Sequence, residues 1–404
     1  MEEISPPFLY PVESHMENFD FQEEMKELLR ACIRRDFEGE FSAHEFDSVF
    51  IRRTQHPLSM RFEGFPIYSE GIPQIIKSWA KLDLELEIAL EDMLFLDLET
   101  SGLGRSGTLA FMIGLGYYEE GHFVVEQIFL PDPDAEENSF DRLRELIESR
   151  SLIFSFNGKS FDIPVLESRL LYHHIWLNLR DIPHLDVLHL ARRMWKRRLS
   201  SCALESIEYY ILDHPRCPET DIPGAQVPQA YQDFLYSGET SLISRIFEHN
   251  HDDILYLAIL FALIADNASY PPKGGKEHRI DYHALARLYE SVGEIKTARR
   301  IMIDLISEGF VNADIAYDLG MILKREKDYP SALEAFEMAA ELSHAEAMTE
   351  AAIILERDKC FEEALKHSLK AQAFEKSRYR PNENKLEALS KRIKRLEAKL
   401  NIEP

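Results

Sequence analysis

A repeat in the last third of the chain constrains its fold more than any other sequence feature. Three similar blocks each end three residues before an alanine, and these alanines, Ala298, Ala332 and Ala364, are spaced by 34 and then 32 residues. A period of this length corresponds to one helical hairpin per repeat, in which a small residue lets the two helices approach closely. Residues 280–375 are therefore predicted to be an all-α repeat domain.

The period is typical of tetratricopeptide repeats, whose stacked hairpins usually bind protein segments in a concave groove. A protein partner is accordingly expected for these repeats, and a structural cap on the first domain is the alternative. Residues 376–404 are predicted to contain a basic amphipathic helix, because leucine and isoleucine recur there at three- and four-residue steps. We interpret its basic side as a solvated face that closes the array, with a nucleic-acid tether as the alternative.

A linker separates this helical part from a first part in which strand-like and helix-like segments alternate. Residues 267–279 combine Pro271-Pro272 with Gly274-Gly275, a composition that suits an exposed connection. Before the linker we expect two regions, namely an N-terminal lead-in over residues 1–90 and an α/β domain over residues 91–266.

The composition narrows the class and the location of the protein. The chain has 404 residues, with 46 Lys and Arg against 71 Asp and Glu and a formal net charge of −25. This charge argues against a protein that coats duplex DNA, but not against an enzyme that grips nucleic acid through metal ions. The four cysteines are scattered, the N-terminus does not resemble a secretory signal, and no apolar run reaches the ~18–20 residues of a membrane span. We therefore expect a cytoplasmic protein without a membrane partner.

Two carboxylates follow a buried strand near the start of the α/β domain. Met93 to Leu96 form an apolar run, and Asp97 and Glu99 continue it two residues apart. Alternation along a strand places these side chains on one face, where adjacent carboxylates are costly unless a cation lies between them. The alternative is a pair of polar residues that water solvates separately at a strand end.

The glycine pattern that follows fits a dinucleotide-binding fingerprint, but its context does not. Gly102, Gly104 and Gly107 match G-x-G-x-x-G, which requires a helix that begins at the glycines. Residues 108–118 instead predict a second strand and residues 123–130 a third, in an antiparallel meander. We therefore expect no nucleotide cofactor.

Two later segments supply further polar residues. A predicted strand over residues 152–156 runs into a turn at Asn157, after which Asp162 begins a helix. Taken alone, Asp162 is also well placed to cap that helix. A long helix predicted over residues 240–265 carries His249 and Asp253, which are four residues apart and share one face.

The order Asp-x-Glu, Asp and His-x-x-x-Asp resembles the DEDD superfamily of ribonuclease H-like 3′–5′ exonucleases. The segments FLDLETSGL, FNGKSFDIP, DVLHLARRMWK, LSSC and HNHDDILYL are similar to its bacterial YprB-like branch, which carries tetratricopeptide repeats after the nuclease domain. The resemblance covers most of residues 45–375, including a β-rich lead-in at Val49–Ile67. It implies an α/β ribonuclease H-like domain with a mixed five-stranded sheet, followed by an all-α tetratricopeptide-type repeat domain.

The resemblance also implies a chemistry. It makes Asp97, Glu99, Asp162 and Asp253 the ligands of two divalent metal ions, Mg²⁺ or Mn²⁺, which prefer carboxylate oxygens. His249 is the expected general base, although the histidine-type members carry that residue five positions before the last Asp and the tyrosine-type members four. His251 points to another side of the helix and is the second candidate for the base.

The function that the resemblance implies is a metal-dependent nuclease, namely a 3′–5′ exonuclease on single-stranded RNA or DNA ends. A catalytically silent scaffold that recruits nucleic acid or protein through the repeats is the alternative. Four residues are candidate substrate contacts, each with a simpler interpretation. Asn157 would otherwise brace a turn, Phe161 would pack in the core, and Arg192 and Arg193 would lie at a solvated helix end.

Overall fold

The computed structural model describes residues 13–42, 48–85, 87–102, 107–272, 275 and 277–400, without the side chains of residues 13–22. The chain divides into two compact units, Met1–Arg279 and Ile280–Pro404. The strands of the first unit are β1 Glu40–Phe41, β2 Phe50–Pro57, β3 Arg61–Phe62, β4 Phe65–Pro66, β5 Met93–Thr100, β6 Ala110–Glu119, β7 His122–Phe129, β8 Leu152–Ser155 and β9 His184–Asp186. Its helices are α1 Glu13–Asp36, α2 Gln74–Ala80, α3 Glu136–Glu148, α4 Asp162–Tyr172, α5 Val187–Trp195, α6 Leu204–Ile211, α7 Val227–Ser237 and α8 Ser241–Ala268.

A mixed sheet of seven strands organises the first unit, in the order β1-β2-β7-β6-β5-β8-β9. Strand β8 runs parallel to both β5 and β9, whereas the remaining neighbours are antiparallel. The predicted meander is confirmed, because β5, β6 and β7 pair in succession without an intervening helix. Gly104, in the middle of the glycine pattern, lies outside the described residues.

The prediction of a five-stranded sheet is wrong in the number of strands, because the lead-in region contributes two of the seven. Strand β2 pairs along its whole length with β7, from Phe50 opposite Phe129 to Pro57 opposite His122. Strand β7 is almost entirely buried, so its backbone N–H and C=O groups need a partner on that side. An ion pair of 2.7 Å between Arg53 and the fully buried Glu126, directly opposite each other, adds to the pairing.

The two faces of β5 pack against different helices. Leu94, Leu96 and Leu98 belong to a buried cluster that also contains Leu143 of α3 and Leu166 of α4. On the other face, Phe95 stacks on Phe154 of β8 at 4.7 Å, and Phe154 contacts Phe261 of α8 at 4.5 Å. Alternation places Asp97 and Glu99 on this second face, beneath α8. Within the described part of the chain, none of the helices combines the length and apolarity that crossing a membrane requires.

The second unit is helical wherever the structure describes regular elements, which confirms the predicted all-α class. Its helices are α9 Tyr282–Ser291, α10 Ile295–Ser307, α11 Ala313–Arg325, α12 Tyr329–Glu341, α13 Ala345–Arg357, α14 Phe361–Ser377 and α15 Glu383–Lys399. Ala298, Ala332 and Ala364 are fully buried at the equivalent position of α10, α12 and α14, as the repeat requires. The tetratricopeptide assignment itself stays a prediction.

Helix α15 uses its basic side within the second unit. Arg392, Arg395 and Lys399 form ion pairs of 3.2, 2.7 and 3.0 Å with Glu356 of α13. Its apolar side buries Leu389, one of the leucine and isoleucine residues that recur there at three- and four-residue steps. Because one carboxylate already binds three of the basic groups, these contacts favour the closing-face interpretation over a nucleic-acid tether.

Candidate metal centre

The first two acidic residues lie at the end of β5, directly below α8. Asp97 faces Gly114 of β6 in the sheet, and its Oδ2 accepts a hydrogen bond of 3.0 Å from Asn250 Nδ2 of α8. A Cβ atom at Gly114 would lie only 2.3 Å from Asn250 Oδ1, so the glycine makes room for this contact. Glu99 is buried beside it. The helix and the sheet thus meet at a polar contact beside the two carboxylates.

A tight turn delivers the third acidic residue. Asn157 adopts a positive φ of 71°, and its N–H donates to Asp186 Oδ1 at 2.9 Å. At Gly158, a Cβ atom would lie 2.8 Å from Asp162 Oδ2 and 2.4 Å from Ser155 Oγ. Only glycine therefore lets the turn pass this close to the Asp162 carboxylate, which is buried at the start of α4. The backbone of Asn157 thus helps to fix the turn, whereas a bracing role of its side chain stays a prediction.

The same turn is coupled to a histidine whose protonation should lower stability. Ser155 Oγ accepts the Gly158 N–H and lies 2.7 Å from His184 Nε2, and we assign neutral His184 as the acceptor of the serine proton. Burial and the nearby Lys159 lower the pKa of His184 from 6.5 to about 4. Because the folded-state pKa is depressed, the stability that depends on neutral His184 is present above about pH 6.5 and is lost as the pH falls towards 4.

This dependence can be measured against a variant that keeps the hydrogen bond. His184→Gln supplies an acceptor that does not titrate, so its free energy of unfolding should fall less between neutral pH and about pH 5, by roughly 2 kcal/mol. Urea unfolding of both proteins across this range is the measurement. If the free energy of unfolding fell equally with pH in the two proteins, His184 would not be the group responsible for the loss of stability.

Helix α8 brings the last two predicted residues to the cluster. His249 Nε2 lies 3.9 Å from Glu99 Oε1 and 3.7 Å from Asp253 Oδ2. One ligand atom from each of these three residues lies within 4.8 Å of the others, which is compact enough for a single cation. Glu99 thus lies close to side chains that are 150 and 154 positions later in the sequence.

The carboxylates of the cluster carry more negative charge than their surroundings offset. Burial, followed by the charges of Asp253 and Asp162, raises the pKa values of Asp97 and Glu99 well above the usual carboxyl range. Burial, followed by the charge of Asp186, raises the pKa of Asp162 to about 7. A bound cation would favour the ionised forms that burial disfavours.

The donor atoms fit the metal ions that the sequence predicts. Asp97, Glu99, Asp162 and Asp253 offer only oxygen, the ligand that Mg²⁺ and Mn²⁺ prefer, and His249 adds an imidazole nitrogen that Mn²⁺ also tolerates. The buried, mutually repelling carboxylates are the observation that supports the fit.

Sequence reasoning missed three charged residues that complete the site. Arg216 binds the buried Glu208 of α6 through Nε and Nη2, at 2.6 and 2.7 Å, and also donates to Asp253 Oδ1. Asp221 Oδ1 lies 2.7 Å from His249 Nδ1. One signal was available for Glu208, since it lies on the stripe that Leu204, Ile207 and Ile211 define, where a carboxylate is unusual.

The contacts of His249 indicate its tautomer. Nδ1 lies 2.7 Å from the Asp221 carboxylate and 3.0 Å from Arg216 Nη1, and it cannot both donate to the first and accept from the second. We assign the shorter contact as the hydrogen bond, so Nδ1 carries the proton and Nε2 faces Glu99 and Asp253 with a lone pair. Burial lowers the pKa of His249, but the hydrogen bond to Asp221 and the charge of Asp253 outweigh burial and raise it overall.

The remaining candidate residues lie apart from the acidic cluster. His251 Nε2 is 2.9 Å from His56 Nε2 of β2, on another side of α8, as its position in the helix predicts. Phe161 packs against the core cluster. Arg192 and Arg193 are exposed in the last turn of α5, and within the described residues neither forms a hydrogen bond or ion pair with the cluster.

Comparisons with known proteins agree with the fold. Residues 94–265 match the family model of the RNase_H superfamily. Over 400 residues the chain is 28% identical to the protein YprB of Bacillus subtilis (strain 168), and the alignment covers 96% of this chain and 92% of that protein. The family match confirms the ribonuclease H-like domain that the motifs predict.

Solved structures give only faint likenesses. The type III secretion translocator chaperone SycD of Yersinia enterocolitica is 16% identical, and the match covers 30% of this chain and 83% of that chain with a TM-score of 0.27. PcrH, solved in complex with the chaperone binding region of PopD, is also 16% identical over 30% of this chain and 90% of that chain, with a TM-score of 0.27. TM-scores this low carry no weight for fold or function.

Proposed function

From a ribonuclease H-like domain whose acidic side chains converge beneath one helix, we propose that this protein is a metal-dependent nuclease that hydrolyses phosphodiester bonds of nucleic acid. More specifically, we propose a 3′–5′ exonuclease on single-stranded RNA or DNA ends that uses a two-metal-ion mechanism. The observation that carries the proposal is the meeting of Glu99, His249 and Asp253, from β5 and α8, beside the carboxylates of Asp97 and Asp162.

The residues of this chain divide the work between holding cations and moving a proton. Asp97, Glu99, Asp162 and Asp253 would hold the divalent ions, Mg²⁺ or Mn²⁺. When bound, such ions orient the scissile phosphate and stabilise charge on the entering and leaving oxygens. Asn250 holds Asp97 from above through the 3.0 Å hydrogen bond, which supports a fixed orientation of that carboxylate.

His249 is the residue that we propose as general base. Its Nε2 lone pair faces the cluster and would take a proton from the attacking water, while Asp221 holds Nδ1–H and stabilises the imidazolium that forms. The four-residue spacing before Asp253 supports this role geometrically, because one helical turn places both side chains on the same side of α8.

Binding of the substrate would involve surfaces beyond the cluster. Arg192 and Arg193 present exposed guanidinium groups on α5, and Asp186, which caps the start of that helix, binds the turn that carries Asn157 and precedes Asp162. We propose that they contact phosphates, which position a nucleic acid without reading its sequence. Phe161 would stack on a base only if it left its packed position. We further propose that the repeats of the second unit bind a protein partner.

Hydrolysis of labelled oligomers tests the proposed function. Single-stranded RNA and DNA carrying a 5′ label should be shortened from the 3′ end in Mn²⁺ or Mg²⁺, giving a ladder of labelled products, and should survive in EDTA. A blocked 3′ end and a circular strand should both resist cleavage, because an exonuclease needs a free end. Cleavage of the circle would instead indicate an endonuclease.

A matched variant separates this activity from a contaminating nuclease. Glu99→Gln preserves the size of a buried cluster residue but removes its charge, so product formation should fall to the level seen in EDTA. The absence of products from the wild-type protein with both RNA and DNA would favour the silent-scaffold alternative.

A further inference from the structure

Among the lysine and arginine side chains of the described residues, Arg216 is the one that forms an ion pair with a carboxylate of the cluster. It lies between α6 and α7, outside both helices, and its side chain is only 7% exposed. An arginine beside a proposed cation site affects the cation affinity in two opposite ways. Its charge repels the cation, whereas its hydrogen bonds can fix the geometry of a ligand. The contacts of Arg216 indicate that the second effect is the larger.

A buried carboxylate outside the cluster fixes the guanidinium. Arg216 Nε donates to Glu208 Oε2 at 2.6 Å and Nη2 donates to Glu208 Oε1 at 2.7 Å, while the Glu208 side chain is 0% exposed. This two-bond arrangement matches the planar fork of the guanidinium and sets its orientation. Arg216 is therefore held by α6 independently of the cluster.

The same guanidinium binds only one oxygen of Asp253. Nη2 donates to Oδ1, whereas Oδ2 is the oxygen that lies 3.7 Å from His249 Nε2, the nitrogen that is itself 3.9 Å from Glu99 Oε1. The remaining nitrogen, Nη1, lies 3.0 Å from His249 Nδ1 and 3.9 Å from Asp221. Nε and Nη2 already donate to carboxylates, Nη1 lies against His249 and Asp221, and the side chain is buried. Arg216 is therefore not available to bind a substrate phosphate.

We infer that Arg216 is the positioning residue for the Asp253 carboxylate: it binds Oδ1, anchored through Glu208, and so directs Oδ2 towards the cation. This inference rests on the proposed function insofar as Asp253 is taken as a metal ligand. Groups that orient a ligand typically change metal affinity 10–100-fold when they are removed. If repulsion by the charge dominated instead, removal of Arg216 would tighten binding, so the sign of the change distinguishes the two effects.

Titration of the full-length, metal-free protein with Mn²⁺, with free Mn²⁺ followed by electron paramagnetic resonance, is the test. Arg216→Met should weaken binding, raising the Kd about 10–100-fold. Arg216→Lys keeps the charge but not the fork, and should also bind more weakly than the wild type. The matched control is Arg169→Met, which breaks another two-bond pair, with the buried Glu136; among the described residues Arg169 forms ion pairs with Glu136 and not with a carboxylate of the cluster. It should leave the Kd unchanged.

The outcomes separate this inference from the proposed function. Unchanged or tighter binding of Mn²⁺ by Arg216→Met overturns the positioning role. Wild-type affinity in Arg216→Lys would also overturn it, because it would mean that the positive charge suffices without the two-bond geometry of the guanidinium. Failure of the wild-type protein to bind Mn²⁺ would count against the proposed function itself. If Arg216→Met does not fold, because Glu208 is left buried without a partner, the double variant Arg216→Met, Glu208→Leu removes both charges and should show the same loss of affinity.

Discussion

Mn²⁺ should raise the melting temperature of the wild-type protein and leave that of Asp97→Asn unchanged. In the metal-free protein, burial and the neighbouring carboxylates disfavour the ionised form of Asp97, so the cluster costs stability at neutral pH. A cation that binds only the folded state at about 100 times its Kd adds roughly 2.7 kcal/mol, which corresponds to a rise of roughly 5–10 °C for a domain of this size.

In EDTA, the melting temperatures of the two proteins should stand in the opposite order to that in Mn²⁺. Asp97→Asn removes one negative charge, and its side-chain oxygen can still accept the hydrogen bond from Asn250. We therefore expect the metal-free variant to melt at a higher temperature than the metal-free wild type, although it melts at a lower temperature in Mn²⁺. Differential scanning fluorimetry in EDTA and in Mn²⁺ measures both differences.

A neighbouring aspartate provides the control. Asp252 is next to Asp253 in the sequence, but its carboxylate contacts His251 Nδ1 at 3.1 Å and His214 Nε2 at 3.9 Å, on a different side of α8. Asp252→Asn should therefore keep the Mn²⁺-induced rise. An equal rise in the wild type and in Asp97→Asn would mean that Mn²⁺ binds elsewhere.

The elements of the first unit could be predicted from local patterns, but the width of its sheet could not. Apolar runs and alternation placed β5 to β8 and the long helix α8 to within a few residues. Strand β2 was recognised only as part of a β-rich lead-in, because the sequence FIRRTQHP does not state which strand it pairs with. Pairing with β7 depends on long-range contacts such as Arg53 to Glu126, which no local pattern encodes.

In the candidate site too, the residues on regular elements could be predicted from the sequence, whereas those on an irregular segment could not. Asp97, Glu99, Asp162, His249 and Asp253 each lie on a regular element or at its first residue, so their faces follow from the helical and strand periods. Arg216 and Asp221 lie between α6 and α7, where no period fixes the direction of a side chain. Their contacts with His249 and Asp253 form only because this irregular segment packs against α8. The spacing of residues in the sequence does not predict that packing.

Replacing Asp253, the proposed ligand, should reduce both Mn²⁺ affinity and turnover, whereas replacing His249, the proposed base, should reduce turnover alone. Asp253→Asn can still accept from Arg216 through its oxygen, but it then presents an amide N–H₂ group where Oδ2 faced the cluster. It should weaken Mn²⁺ binding and turnover together, since an amide nitrogen does not ligate Mg²⁺ or Mn²⁺. His249→Ala should leave Mn²⁺ affinity nearly intact and slow the chemical step by ~10²–10⁴.

Single-turnover cleavage together with Mn²⁺ titration separates these losses, and two further variants test the base itself. His249→Tyr should recover part of the rate, because tyrosine occupies this four-residue spacing in the tyrosine-type members that the motifs resemble. His251→Ala removes a side chain that contacts His56 and not the cluster, so it should retain most of the activity. An inactive His251→Ala beside an active His249→Ala would transfer the role to His251. A large loss of Mn²⁺ affinity in His249→Ala would make His249 a ligand, because its Nε2 already lies within 3.9 Å of Glu99 and 3.7 Å of Asp253.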